Sequence, residues 1–150
     1  MFQVTWSDNL ADQAEVDAKL CGKHQPKSTS VNSEILRKSD HVIWSDIIYG
    51  WFLTKRFYDS ITNSCSAKCN QFRNIVNADN KEIGCAKAKC RDEEENTDFF
   101  SLVCHYKSSD DEKQQPYLMG AQCSSCQEKF LPIYQENQRK NRFCEFSFRH

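Results

Sequence analysis

The sequence predicts an α+β fold stapled by disulfides. Three observations carry that reading. Apolar residues recur at helical spacing through much of the first half of the chain. Two apolar stretches flank an acidic run in the second half, the pattern of an antiparallel hairpin. Nine cysteines in 150 residues are a density that points to an oxidising compartment.

Taken in chain order, Leu10, Ala14, Ala18 and Cys21 fall on one helical face, and Ser7 or Asp8 can cap it. A helix is therefore expected over 8–21. Residues 22–41 are rich in Lys, Ser and Asn and read mostly as loop, with Glu34-Ile35-Leu36 as a short strand. Ser45 or Asp46 can cap a second helix whose face is Ile47, Ile48, Trp51 and Phe52, with Tyr58 extending it. Such a stripe reads as core. Cys69 to Asn77 reads as a third, short helix. Glu82–Lys89 and Phe99–Tyr106 read as two strands, and Gly84 marks a bulge or a close backbone approach. The acidic run 91–98 between them reads as a solvated hairpin loop. Calcium sites need ligands at alternating positions and a sharp glycine turn. Beyond residue 107 the chain turns polar, and 117–150 carries Cys123, Cys126 and Cys144 with little periodicity.

Several classes of function are disfavoured. A net charge of −1 and a pI near 6.4 give no electrostatic case for nucleic acid or an anionic membrane. No stretch approaches the roughly 20 apolar residues of a membrane-spanning helix. Cys123-x-x-Cys126 has zinc-ligand spacing, but no second such pair follows it. No Gly-x-Ser-x-Gly surrounds a serine, and no cofactor is expected. Met1 to Trp6 lacks the basic start and apolar core of a secretory leader. That conflicts with the cysteine count, and a start further upstream is the expected resolution.

Four cysteine-bearing segments stand in a recognisable order: Cys65 to Cys69, Ile83-Gly84-Cys85-Ala86-x-Ala88-x-Cys90, Val103-Cys104-His105-Tyr106, and Pro116-Tyr117-x-x-Gly120-x-x-Cys123-x-x-Cys126. They resemble the CAP superfamily of cysteine-rich secretory, antigen 5 and pathogenesis-related 1 proteins, whose unit is the SCP domain. His105 stands where the family motif has Asn. Thr5-Trp6 and Leu10-Ala11 fit the start of the second family helix. The Cys65/Cys69 spacing is similar to glioma-pathogenesis-related-like and helminth venom-allergen-like members.

The resemblance implies an α-β-α sandwich, a small antiparallel sheet between helical layers, over 4–107, with 108–150 as a hinge-like extension. The chain begins at the second family element, so the resemblance implies a domain without the first helix, which in relatives walls an apolar groove. It also implies the pairs Cys21–Cys90, Cys65–Cys69 and Cys85–Cys104. One further bridge would form among Cys123, Cys126 and Cys144. The family cleft sets two His and two Glu around a divalent metal. His24 and Glu34 match two of those positions, while Thr54 and Gln71 replace the other ligands. No functional metal site is expected on that pattern. His41 and His105 are not expected to restore it.

The function implied is a non-enzymatic, extracellular binding or interaction protein of CAP type. Its partner would be an unidentified extracellular protein, or a lipid or sterol, in a host or immune setting. A lipid-binding loop would fall at 57–69, with Phe57, Tyr58 and Ile61. The alternatives are a truncated paralogue with little autonomous function and a hydrolase working through His24 and Glu34.

Overall fold

In the computed structural model the described residues are 4–23, 30–37, 41–107 and 115–117. They fall within one compact unit, Met1–Tyr117. His24, Cys123, Cys126 and Cys144 lie outside the described residues.

Strand β1 (Thr5–Trp6) leads into helix α1 (Asp8–Lys19), with Ser7 at its amino end in an extended conformation. No side-chain cap forms there; the Ser7 carbonyl accepts from the Ala11 amide at 3.0 Å. Asp8 in the first turn and Lys19 in the last complement the helix dipole. The helix stops two residues before Cys21, the last position of the expected face. Cys21 instead adopts the left-handed region (φ 56°) and Gly22 follows at φ 75°. That conformation usually falls to glycine after a helix; here a disulfide holds a cysteine in it.

Strand β2 (Val31–Arg37) is more than twice the length expected of Glu34-Ile35-Leu36. All seven of its residues pair antiparallel with strand β6 (Thr97–Lys107). Helix α2 (Trp44–Leu53) begins ahead of the expected Ser45 or Asp46 cap, with the Ile43 carbonyl accepting from the Asp46 and Ile47 amides. A 3-10 turn, Thr54–Phe57, follows, so Tyr58 leaves the helical face and enters a two-stranded ribbon of β3 (Tyr58–Asp59) and β4 (Ser64–Cys65). Helix α3 spans Asn70–Val76.

Strand β5 (Glu82–Asp92) and β6 extend further than expected and take in both ends of the acidic run. Asp92 pairs with Thr97 and Arg91 with Asp98 across the ladder. Its carboxylates meet cations: Lys89 lies 2.7 Å from Asp98 and Arg37 lies 2.9 Å from Asp92. Those hydrogen bonds hold both aspartates below the usual carboxylate range.

The main sheet runs in the order β1-β5-β6-β2, with β1 parallel to β5 and the other pairs antiparallel. It is therefore mixed rather than purely antiparallel. Its two faces follow from strand alternation. On one, Ala14 and Ala18 of α1 pack on Val103, Val31, Ala86 and Ala88. On the other, Trp51, Ile47 and Trp44 of α2 and Ile75 of α3 pack on Ile83, Cys85, Cys104 and Tyr106. The result is an α-β-α sandwich.

Gly84 shows why α1 sits so close. A Cβ there would stand 2.2 Å from the Ala11 nitrogen and 2.4 Å from the Leu10 carbonyl carbon. The ladder runs through Gly84 without a break, opposite His105, so this is close packing and not a bulge. Disulfides join Cys21 to Cys90, Cys65 to Cys69 and Cys85 to Cys104. The first ties the end of α1 to β5 across 69 residues of chain, and the third cross-links β5 to β6.

Candidate functional site

Three positions that the family cleft would use, Glu34, Thr54 and Gln71, gather on the α2–α3 face of the sheet. Alternation along β2 turns Asn32 and Glu34 toward that face, opposite Cys104 and Leu102. The indole of Trp51, on the inner side of α2 and 1% exposed, donates from Nε1 to Glu34 Oε2 at 3.3 Å. Thr54 sits one residue past the end of α2. Its hydroxyl donates to the Trp51 carbonyl at 2.7 Å and accepts from the Phe72 amide at 3.2 Å. Gln71, in the first turn of α3, donates its Nε2 to the Ser33 carbonyl at 3.0 Å. Thr54 and Gln71 thus pin α2, α3 and β2 to one another.

Behind them lies a chain of amides that begins at Asn32, a position the sequence pattern places in a loop. Asn32 Nδ2 donates to the Gln71 carbonyl at 3.1 Å and to Tyr106 Oη at 3.2 Å, while its Oδ1 accepts from Asn74 Nδ2 at 2.9 Å. Asn80 Nδ2 donates in turn to the Asn74 carbonyl. The Asn80 Oδ1 is buried without a hydrogen-bond partner among the described residues. Burial pushes the Tyr106 phenol well above its ordinary pKa, against a smaller opposing effect of the Asn32 bond. Strand alternation puts Asn32 and Glu34 on one face, but no local pattern points to their distant partners.

Of the histidines, His24 lies outside the described residues, His41 is exposed, and His105 belongs to the other face. His105 Nε2 stands 2.8 Å from Asp17 Oδ2 of α1, on the side of the sheet away from Glu34. Among the described residues no group of three or more His, Cys, Asp or Glu side chains converges on a point.

The three loop residues part company. Phe57 closes the 3-10 turn, half-buried beneath the Arg56 guanidinium at 4.6 Å. Tyr58 packs on Phe72 with ring centroids 5.6 Å apart and donates its hydroxyl to Asn63 Oδ1 at 3.0 Å. Its phenol is pushed up, first by burial. Ile61, 85% exposed, tips a turn held by Asp59 Oδ1, which accepts from the Ile61 and Thr62 amides. The same bonds keep Asp59 below the usual carboxylate range, the Ile61 amide foremost.

Residues 1–106 match the family described as CAP, the cysteine-rich secretory protein family. The chain belongs to the CAP family. Its members are generally not enzymes. GLIPR1-like protein 1 of Bos taurus is 30% identical over 141 residues, covering 85% of this chain and 58% of its own length. Glioma pathogenesis-related protein 1 of Mus musculus is 27% identical over 136 residues, covering 84% and 51%. The chain thus spans between about half and three-fifths of the length of these curated CAP relatives. Among solved structures, Schistosoma mansoni venom allergen-like protein 4 superposes with a TM-score of 0.60 at 22% identity, over 80% of this chain and 76% of that one. That likeness establishes the CAP sandwich as the fold. No described helix is long and apolar enough to cross a membrane.

Proposed function

We propose that this CAP domain is an extracellular, non-enzymatic binding module whose family metal cleft has been rebuilt as a structural joint. The observation that carries the reading is the use made of Glu34, Thr54 and Gln71. A metal needs lone pairs directed at a common point. Here one Glu34 oxygen takes the Trp51 indole, and the Thr54 hydroxyl and the Gln71 Nε2 are committed to backbone partners. An alcohol and an amide are also poor replacements for a carboxylate and an imidazole. Among the described residues, Glu34, Thr54 and Gln71 together do not fit the divalent ion of the family.

Disulfides support placement in an oxidising, extracellular setting. The division proposed for the whole chain is a CAP domain over 4–107 and a hinge-like extension over 108–150. A lipid or sterol is the partner class to test first, at the ribbon that carries Phe57, Tyr58 and Ile61. Ile61 is the side chain free to insert into an apolar ligand, whereas Tyr58 is held by Phe72 and Asn63.

Two titrations test this. Calorimetry with zinc should give no saturable binding tighter than about 100 µM; a submicromolar site lost in Glu34→Gln would overturn the cleft reading. Labelled cholesterol should bind saturably at micromolar protein and weaken at least several-fold in Ile61→Asp. Absence of saturation would remove the sterol and leave a protein partner.

A further inference from the structure

We propose that the outward face of α2 is a self-association surface that pairs two copies of this chain antiparallel about a two-fold axis. Helix α2, Trp-Ser-Asp-Ile-Ile-Tyr-Gly-Trp-Phe-Leu, carries a single charged residue and is apolar nearly all round. Such a helix is ordinarily buried on every side. Here Trp51 is 1% exposed, yet Tyr49 is 61% and Leu53 43% exposed.

Asp46, Tyr49, Gly50 and Leu53 follow helical spacing along the side away from Trp51. The 3-10 turn after Leu53 stacks residues three apart, so Arg56 continues the same line. A Cβ on Gly50 would meet nothing within 4 Å, so no described part of the chain covers the stripe, and a second backbone can approach there. About a common centre the ends of the stripe are complementary, acid to base and aromatic to aliphatic, with the glycine beside that centre. In an antiparallel pair Asp46 faces Arg56 of the second copy and Tyr49 faces Leu53. Both pairs are centred on the same point of the helix, residue 51. An isologous contact requires this self-complementarity. Among the described residues neither Asp46 nor Arg56 has an ion-pair partner within its own chain, and both are exposed. This charge order selects a second copy over an uncharged apolar partner.

The contact is about 15 Å long, the length of a ten-residue helix, so the dimer should be weak, with Kd on the order of 10–100 µM. Sedimentation velocity from about 1 to 300 µM tests it, with disulfides intact and free thiols alkylated so that covalent pairing does not contribute. Wild type should pass from monomer to dimer across that range. Asp46→Arg and Arg56→Asp should each weaken the dimer about tenfold or more, because like charges then meet at both ends. Mixing the two variants in equal amounts should restore it, since every end pair is again opposite in charge. Unchanged far-ultraviolet circular dichroism would exclude misfolding as the cause. A monomer at every concentration overturns the proposal, and would mean that this face is covered by something else, such as a helix of a longer chain. A dimer insensitive to the charge exchange overturns it equally, because the contact then lies elsewhere.

Discussion

On one side of the sheet, α1 rests directly on backbone: Gly84 faces Leu10 and Ala11, Ala86 and Ala88 face Ala14 and Ala18, and Cys21–Cys90 locks the helix end. On the other side, α2 and α3 stand off behind Trp51, and amides from Asn32, Gln71, Asn74 and Asn80 fill the gap. Small residues and a covalent tie give the first interface a single tight fit. The second is specified by hydrogen bonds, and its outer helix remains partly uncovered. The closed layer is where a fold is made stable, and the polar layer is where a binding site can be changed without losing the fold.

Breaking the covalent tie should produce the largest effect. In the chain-entropy account a bridge across 69 residues is worth about 4 kcal/mol. Replacing Cys21 and Cys90 together by Ser should lower unfolding free energy in urea by roughly that amount. Relaxation of residue 21 out of the left-handed region should offset part of that loss. A loss below about 1 kcal/mol would show that α1 is docked without it.

Gly84→Ala probes the same layer through contact alone. The added methyl meets backbone at 2.2 Å, and backbone cannot swing aside as a side chain can. Displacing α1 should cost about 3 kcal/mol, and amide exchange should accelerate first in α1. If exchange accelerates in α3 instead, the two layers are coupled, and the contrast drawn between them fails.

The two layers were also unequally legible in the sequence. The α1 face showed itself through Ala14 and Ala18 at helical spacing, and Gly84 through its place in an apolar strand. Strands β5 and β6 were visible because alternation on a sheet buried on both faces leaves long apolar runs. The other layer was not visible, because Asn32, Ser33 and Glu34 look like loop residues until the amides they bond are folded against them. Asn74 and Asn80 are 42 and 48 positions from Asn32, so no local pattern reports that they meet. The disulfide pairs were drawn from family resemblance, since spacing left the pairing open. The α2 face of Ile47, Ile48, Trp51 and Phe52 predicts core, and Trp51 is buried there, whereas Ile48 is partly exposed and Tyr49 and Leu53 on the outer side are exposed.

Asn32→Ala tests the polar layer. It removes three hydrogen bonds, to the Gln71 carbonyl, the Asn74 amide and the Tyr106 hydroxyl, from a largely dry interior. A loss of about 2–3 kcal/mol in urea is expected, with exchange accelerating in α3 and β2 while α1 stays protected. A uniform acceleration over the whole domain would instead make this network a part of the common core.

The smallest effect appears at alkaline pH and depends on how dry that layer is. Burial favours the neutral Tyr106 phenol in the folded state and raises its pKa above the ordinary value near 10. The sign follows from linkage: the contribution is fully present below the pKa of the unfolded phenol and is lost as pH rises through the folded one. Stability should therefore fall above about pH 10, where unfolding lets the phenol ionise. Tyr106→Phe lacks that group, so its stability should fall less steeply from about pH 10 to 11.5, even though losing an acceptor for Asn32 costs it about 1 kcal/mol at neutral pH. In the native protein, ultraviolet titration should leave Tyr106 un-ionised until the fold is lost. Equal slopes for the two proteins would mean that water reaches Tyr106, and the second layer would then be open on its inner side as well as its outer one.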